Sequence, residues 1–252
     1  MSADVAALTD NPAVDLGAVE SIVSAYGEPA WLADERRAAL RAYADQPFPT
    51  EKTEEWRYTQ LKRFSFAGLE LAKAPKDESV PERISMRIAD SDAEGVIVHK
   101  GNKVVMHKAA IKEAGVVFTD LRTALRDHEA LVREHLYDVV NARQTKFTAL
   151  NSALWENGTF VSVPRDVEVG LPPGAFTSAD SGGIGLGRTL IVVDVNARLT
   201  FIDVYTSEPF DERLFFDAAT EIVLKDGAKL RYVSLQNWSR NVAHINKLRA
   251  HL

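Results

Sequence analysis

Thr189-Leu190-Ile191-Val192-Val193-Asp194-Val195-Asn196-Ala197-Arg198-Leu199 begins again 31 residues later as Thr220-Glu221-Ile222-Val223-Leu224-Lys225-Asp226-Gly227-Ala228-Lys229-Leu230. Apolar residues alternate in both copies, at Ile191 and Val193 and at Ile222 and Leu224. Alternation sends every second side chain to one face, as a strand does and a helix does not. A looser copy lies upstream, where Val161, Val163, Val167 and Val169 precede Ile191, Val193, Ala197 and Leu199 by 30 residues. Asn196-Ala197 and Asp226-Gly227-Ala228 interrupt the copies with residues that tolerate positive φ. Such turns are too short for a crossover helix, and a fixed period of this size marks stacked repeats. The spacing predicts a parallel β-helix with rungs about 4.8 Å apart. Two similar hairpins of an antiparallel sandwich are the competing arrangement.

The 252 residues suffice for a proper core, in one large domain or two smaller ones. A composition 46% hydrophobic and 26% charged fits a soluble globular chain and excludes wholesale disorder. The formal charge of −6 argues against nucleic acid or an anionic membrane as the main partner. No apolar run is long enough to span a bilayer, and Met1-Ser2-Ala3-Asp4-Val5 lacks the basic and apolar regions of a signal peptide, so a cytoplasmic location is expected. With no cysteine, the chain has no disulfide, no thiolate zinc site, no thiol nucleophile and no thiolate ligand for an iron–sulfur cluster.

Ahead of the repeat, Asn11-Pro12 reads as a helix start, with Leu16, Val19, Val23 and Tyr26 at helical spacing and Gly27 as the stop. A second helix from Pro29 places Leu32, Leu40 and Tyr43 toward a core and ends before Pro47. The polar stretch from Ala72 to Pro81 reads as a solvated linker. Val96-Ile97-Val98 and Val104-Val105-Met106 flank Lys100-Gly101-Asn102-Lys103 as a hairpin. One helix of about 20 residues is expected from Asp120, aligning Leu121, Leu125, His128, Val132, Leu136 and Val139. A shorter one carries Phe147, Leu150 and Leu154 and ends at Asn157-Gly158.

Several motifs invite chemistry, and the residues argue for plainer roles. Gly182-Gly183-Ile184-Gly185-Leu186-Gly187 leads into a strand rather than a helix, so it cannot present helix N-terminal amides to phosphate and reads as a flexible connection. His128-Glu129 and Glu134-His135 put two histidines about 10 Å apart along a helix, too far to share a metal. His128, on the apolar stripe, reads as a hydrogen-bonded, partly buried histidine, and the two glutamates as a solvated face. Asp203, Glu208, Asp211 and Glu212 read as surface charges. Leu235-Gln236-Asn237-Trp238 reads as an amide ladder closed by a core-capping tryptophan.

Four segments carry a resemblance to a known family. They are Pro29-Ala30-Trp31-Leu32 with Glu55-Trp56-Arg57-Tyr58-Thr59; Phe147-Thr148-Ala149-Leu150-Asn151 through Trp155, with Val163-Pro164; Arg188-Thr189-Leu190-Ile191-Val192; and Ala228 through Tyr232 with Gln236-Asn237-Trp238. In this order and spacing the chain resembles the SufB/SufD family of the SUF iron–sulfur cluster assembly system, and SufD within it. The resemblance implies a right-handed parallel β-helix after an N-terminal α/β region. It implies a scaffold that pairs with a SufB-like paralogue and a SufC-like ATPase and performs no bond chemistry itself. The cluster would sit transiently on the assembled complex, ATP would bind the partner ATPase, and no cofactor would belong to this chain. The SufB cysteine aligns with Tyr205, and a SufB arginine and asparagine align with Thr177 and Ala179. A tyrosine cannot relay sulfur as a thiolate does, which is what points to SufD. Gln236 and Trp238 match SufB residues that matter for cluster assembly and are the only positions carried over; no catalytic or metal-binding residue is assigned.

The expected organisation is an N-terminal α/β region over residues 1–148, comprising helices within 12–45, a linker at 72–82 and a hairpin and long helix across 95–142. An incomplete β-helix core follows over 149–252. Family members continue through further coils and a helical domain, so a fragment or a truncated gene is expected. A β-helix carbohydrate-active enzyme of the polysaccharide lyase kind is the alternative function, and a solenoid without partners a third. The lyase reading would need the carboxylates between Asp203 and Glu212 to line a cleft.

Overall fold

A computed structural model describes residues 10–90, 93 and 95–252 of the chain. The signal-peptide reading of Met1 to Val5 lies outside them. The described residues form six α-helices and ten strands. Helices α1 (Leu16–Tyr26) and α2 (Ala30–Asp45) come first, and α3 (Glu82–Ala89) follows two short 3-10 turns. Strands β1 (Gly95–Lys100), β2 (Lys103–Ala109) and β3 (Val117–Asp120) precede α4 (Leu121–Asp127), α5 (Glu129–His135) and α6 (Lys146–Leu154). The rest is strand: β4 (Thr159–Val163), β5 (Gly174–Ala179), β6 (Gly183–Val193), β7 (Arg198–Ser207), β8 (Leu214–Leu224), β9 (Lys229–Asn237) and β10 (Val242–His251).

Two five-stranded sheets face each other, ordered β2-β1-β5-β7-β9 and β10-β8-β6-β4-β3. From β4 onward the chain alternates between them, and strands two apart in sequence pair in parallel. The repeat appears as register: Thr189 stands opposite Thr220 and Leu199 opposite Leu230. The upstream copy joins it, with Val161 opposite Ile191 and Val163 opposite Val193. Asn196 (φ 58°) and Gly227 (φ 70°) make the left-handed turns between sheets. Parallel pairing rules out the two-hairpin sandwich.

The expected fold class, an N-terminal helical or α/β region followed by an incomplete right-handed parallel β-helix, is corrected. The described residues form an α/β fold of two mixed sheets and six helices. Antiparallel β2 ends one sheet and antiparallel β3 ends the other, while β1 pairs in parallel with β5, so strands from upstream of the repeat build both sheets. A period settles which residues stack in register. It does not settle what closes a sheet's edge or covers its outer face, and here antiparallel strands do the first and helices the second.

Ile191, Val193, Leu199, Phe201 and Ile222 meet between the sheets. The other face of β6 and β8, with Leu190, Val192, Phe215 and Val223, packs under the helices against Leu150, Leu154 and Trp155. Each such side chain contributes about 1.5–3 kcal/mol by leaving water.

Local readings held in part. Gly27 ends α1 in the left-handed conformation at φ 57°, α2 stops at Asp45 before Pro47, and the hairpin is β1–β2. Asp15 rather than Asn11 caps α1, by accepting from the Ala18 amide; Asn11 instead donates from Nδ2 to the carbonyls of Phe66 and Leu69. The expected long helix breaks at His128, whose φ of −135° and ψ of 35° separate α4 from α5. That break exposes His128 and buries His135 instead. The glycine-rich segment is no flexible connection: most of it is the start of β6, and a side chain at Gly187 would put its Cβ 2.9 Å from Asn157 Oδ1. Among the described residues no helix is long and apolar enough to cross a membrane.

Candidate functional site

Alternation along β7 turns Phe201, Asp203 and Tyr205 into the space between the sheets, where each is almost fully buried. Parallel pairing then carries a row across the sheet, His99 beside Thr177, Thr177 beside Tyr205, and Tyr205 beside Gln236. The neighbouring row ends in Ser234 beside Asp203. Polar groups thus line part of an otherwise apolar interior.

Asp203 is 1% exposed, which corrects its reading as a surface charge. Tyr205 donates its hydroxyl to Asp203 Oδ2 at 2.9 Å, and Tyr232, from β9, donates to the same oxygen at 2.5 Å. Burial pushes the Asp203 carboxyl up to about 6 against the opposing pull of those two hydrogen bonds. Burial likewise raises both phenols, with the adjacent carboxylate adding to the effect. Thr220 reaches in from β8 on the opposite sheet. It acts on both phenols, yet its Oγ1 is buried and makes no hydrogen bond of good geometry.

Beyond this cluster the interior closes with four rings. Tyr205 lies 6.1 Å from Trp238 and 4.8 Å from His244 between centroids, and Phe216 packs on both at 5.3 and 5.6 Å. Trp238 therefore caps a core cluster, as its sequence suggested. Both ring nitrogens of His244 are buried without a partner, and burial holds the imidazole down to about 4. No amide ladder forms: Gln236 is exposed, and its in-register neighbour on β7 is a tyrosine. Gln236, near the end of β9, is the in-register neighbour of Tyr205, and Trp238, just past that end, lies 6.1 Å from the Tyr205 ring between centroids. Thr177 shares the row of Tyr205, and Ala179 lies two pairs farther on, opposite Ser207.

The motif residues Asn151, Trp155 and Arg188 act on the outer, helix-covered face. Arg188 is 1% exposed and donates to Glu221 Oε1 at 2.6 and 3.0 Å, to Asn151 Oδ1 at 3.0 Å and to the Val140 carbonyl. Glu221 accepts from the amides of Tyr137, Val139 and Val140 at 2.9–3.0 Å, fixing a segment with no regular structure of its own. Trp155 donates to the Tyr137 hydroxyl at 2.8 Å, and that ring lies 4.3 Å from the Arg188 guanidinium. Glu221 was not singled out in the sequence. Its signal is a charged residue inside the apolar second copy, paired in register with Leu190.

The other candidate groups do not assemble. Glu208, Asp211 and Glu212 are exposed, Glu208 facing Arg83 at 3.4 Å, and none joins Asp203 in a cleft. Among the described residues no three His, Asp or Glu side chains converge on a common metal position.

Fold and site define a two-sheet α/β protein whose unusual polar groups are turned inward, between sheets and under helices, instead of lining an open cleft. Residues 20–172 match the SufBD protein N-terminal region, and residues 176–252 match the SufBD core domain of SUF system FeS cluster assembly. The chain belongs to the SufBD family. It is 31% identical over 250 residues to an iron–sulfur cluster assembly SufBD family protein of Staphylococcus epidermidis, covering 91% of this chain and 52% of that one. The iron–sulfur cluster assembly protein SufB of Bacillus subtilis is 32% identical over 244 residues, covering 90% and 51%. A SufBD family protein of Staphylococcus haemolyticus is 31% identical over 235 residues, covering 86% and 49%. The chain spans about half the length of the curated relatives it matches.

Proposed function

We propose that this chain is a SufD-like scaffold subunit of an iron–sulfur cluster assembly complex, working in the cytoplasm with a SufB-like paralogue and a SufC-like ATPase. The observation that carries the reading is the residue at position 205. A thiolate there would be a sulfur carrier, whereas Tyr205 is a buried phenol committed to Asp203 and packed among Phe216, Trp238 and His244. Sulfur relay and ATP hydrolysis then fall to the partners, and the cluster is cargo of the assembled complex. The two stacked sheets, tied to the helices through Arg188 and Glu221, supply a stiff body through which motion of an ATPase can reach the assembly interface.

The polysaccharide lyase reading loses its support, because the carboxylates it needed are divided between the core and the exposed surface. Coexpression with a SufB-like paralogue and a SufC-like ATPase tests the proposal. A complex of all three that builds cluster from iron and sulfide is the expected result. Calcium-dependent binding of an acidic polysaccharide, with neither partner retained, would sink it.

A further inference from the structure

We infer that residues 73–79 form a strap latched by ion pairs, and that releasing those pairs lifts it from a closed space at the ends of β1 and β5 while the rest of the fold stays intact. The sequence alone presents this stretch as a solvated linker. The inference does not depend on the scaffold reading.

The strap is fixed firmly at both ends and lightly between them. Before it, the Ala72 amide donates to the Ile184 carbonyl at 2.9 Å and the Ile184 amide to the Glu70 carbonyl at 2.8 Å. After it, Val80 packs with Ile84, Val98 and Phe176 in one apolar cluster. Residues 73–79 add no side chain to any apolar cluster of the described residues and pair no backbone group with another backbone group there. Charged side chains tie them down instead. Lys100 Nζ donates to Asp77 Oδ1 at 2.9 Å and to the Ser79 carbonyl at 3.4 Å, and Lys103 Nζ donates to Glu78 Oε1 at 2.6 Å. The Lys76 amide donates to Asp180 Oδ2 at 3.3 Å.

Lys100 makes the latch reversible. Its ammonium also lies 3.4 Å from Asp180, just past the end of β5, so lifting the strap leaves that charge paired and newly hydrated instead of stranded. The strap's own carboxylates face solvent, Asp77 at 59% and Glu78 at 66% exposure, and pairs so exposed weaken as salt rises. Lys100 and Ser79 hold the Asp77 carboxyl well below its usual range, so mild acid leaves the latch charged. Ser178 stands beside Lys100 in register and is 2% exposed. With Lys73, Asn157, Ile184 and Phe216 it lines a space of about 20 Å³, hardly more than one water needs. Lifting the strap opens that space to solvent.

The chain has no cysteine, so Ser178→Cys supplies a single thiol whose reaction with an uncharged maleimide reports the opening. The expected result is labelling about tenfold faster in roughly 0.5 M than in roughly 0.02 M salt, the factor that two or three exposed ion pairs amount to. Adding Asp77→Asn should bring the fast rate already at low salt. Thermal melts under the same conditions separate lifting from unfolding. A rate unmoved by salt and by Asp77→Asn, or one that moves only in step with the melting temperature, overturns the inference. Where Ser178→Cys fails to fold, hydrogen exchange in the unaltered chain decides the question. The Lys76 amide should lose protection with salt while the Ile184 amide keeps its own, and equal protection of Lys76 at both salt concentrations overturns the inference.

Discussion

Arg188 and Glu221 show how one residue pair fastens the helical cover to the sheets. Both side chains are inaccessible to solvent, and every acceptor around the guanidinium belongs to a different element from its own. Removing one partner of such a pair leaves a buried charge without compensation, at a cost of about 3–5 kcal/mol. Glu221→Gln should lower unfolding free energy by that order in urea titration. Adding Arg188→Met should recover much of the loss, because an apolar side chain of similar length leaves no stranded ion. A second residue-scale expectation concerns Gly187, whose added Cβ would lie 2.9 Å from Asn157 Oδ1 and 3.3 Å from the Phe216 ring. Gly187→Ala should cost about 1–3 kcal/mol through overpacking, whereas a flexible connection would show no change in urea midpoint.

At the scale of elements, the strands of the repeat were legible because alternation and period act together. Ile191 and Val193 declared a face, and the period declared which residues would lie opposite them. The helices beyond α2 were less legible. The stripe from Leu121 to Val139 looks continuous in sequence, yet His128 leaves the helical region and the apolar face resumes on a separate helix. Periodicity records which side chains are buried, and two short helices bent around a core can bury the same set as one long helix. The buried carboxylates were hidden for the opposite reason. Asp203 and Glu221 sit at inward or helix-facing positions where a lone sequence gives only the general expectation that acids face water. Tyr232, which binds Asp203, and Arg188, which binds Glu221, lie 29 and 33 residues away, beyond the reach of any local pattern. Gln236 and Trp238 were placed by resemblance, and the sheet register, not the motif, explains why both reach Tyr205 from the β9 side.

For the whole molecule, the titratable groups inside predict how stability responds to acid. His99 and His244 are held near 4 by burial, against 6.5 when exposed. Between those values the unfolded chain binds two protons that the folded chain does not, so stability falls as pH drops from about 6.5 to 4. His135, also lowered by burial, acts in the same sense. Asp203 acts oppositely. Its pKa is raised to about 6 from 3.8, so its contribution is fully present below about 3.8 and is lost as pH rises through 6. Asp217, also raised by burial, acts in the same sense as Asp203. Each histidine is worth at most about 3 kcal/mol, so the share of one is read by replacing it. His244→Phe, which preserves a ring against Tyr205, Phe216 and Trp238, should raise the urea midpoint at pH 4 relative to pH 7 when compared with the wild type. A variant whose pH profile is unchanged would contradict the assignment of His244 as a buried neutral base.

The register that places Thr189 opposite Thr220 and Leu199 opposite Leu230 also constrains how a chain like this one can change length over evolution. Gaining or losing one residue within a strand turns every following side chain to the wrong face of its sheet. That would carry Asp203 and Tyr205 out of the interior and their apolar neighbours in. Growth or loss by an entire turn of the repeat preserves every face. Length differences among relatives across residues 159–251 should therefore come in whole steps of one repeat or fall in the turns at Asn196 and Gly227, making family history a matter of counted units.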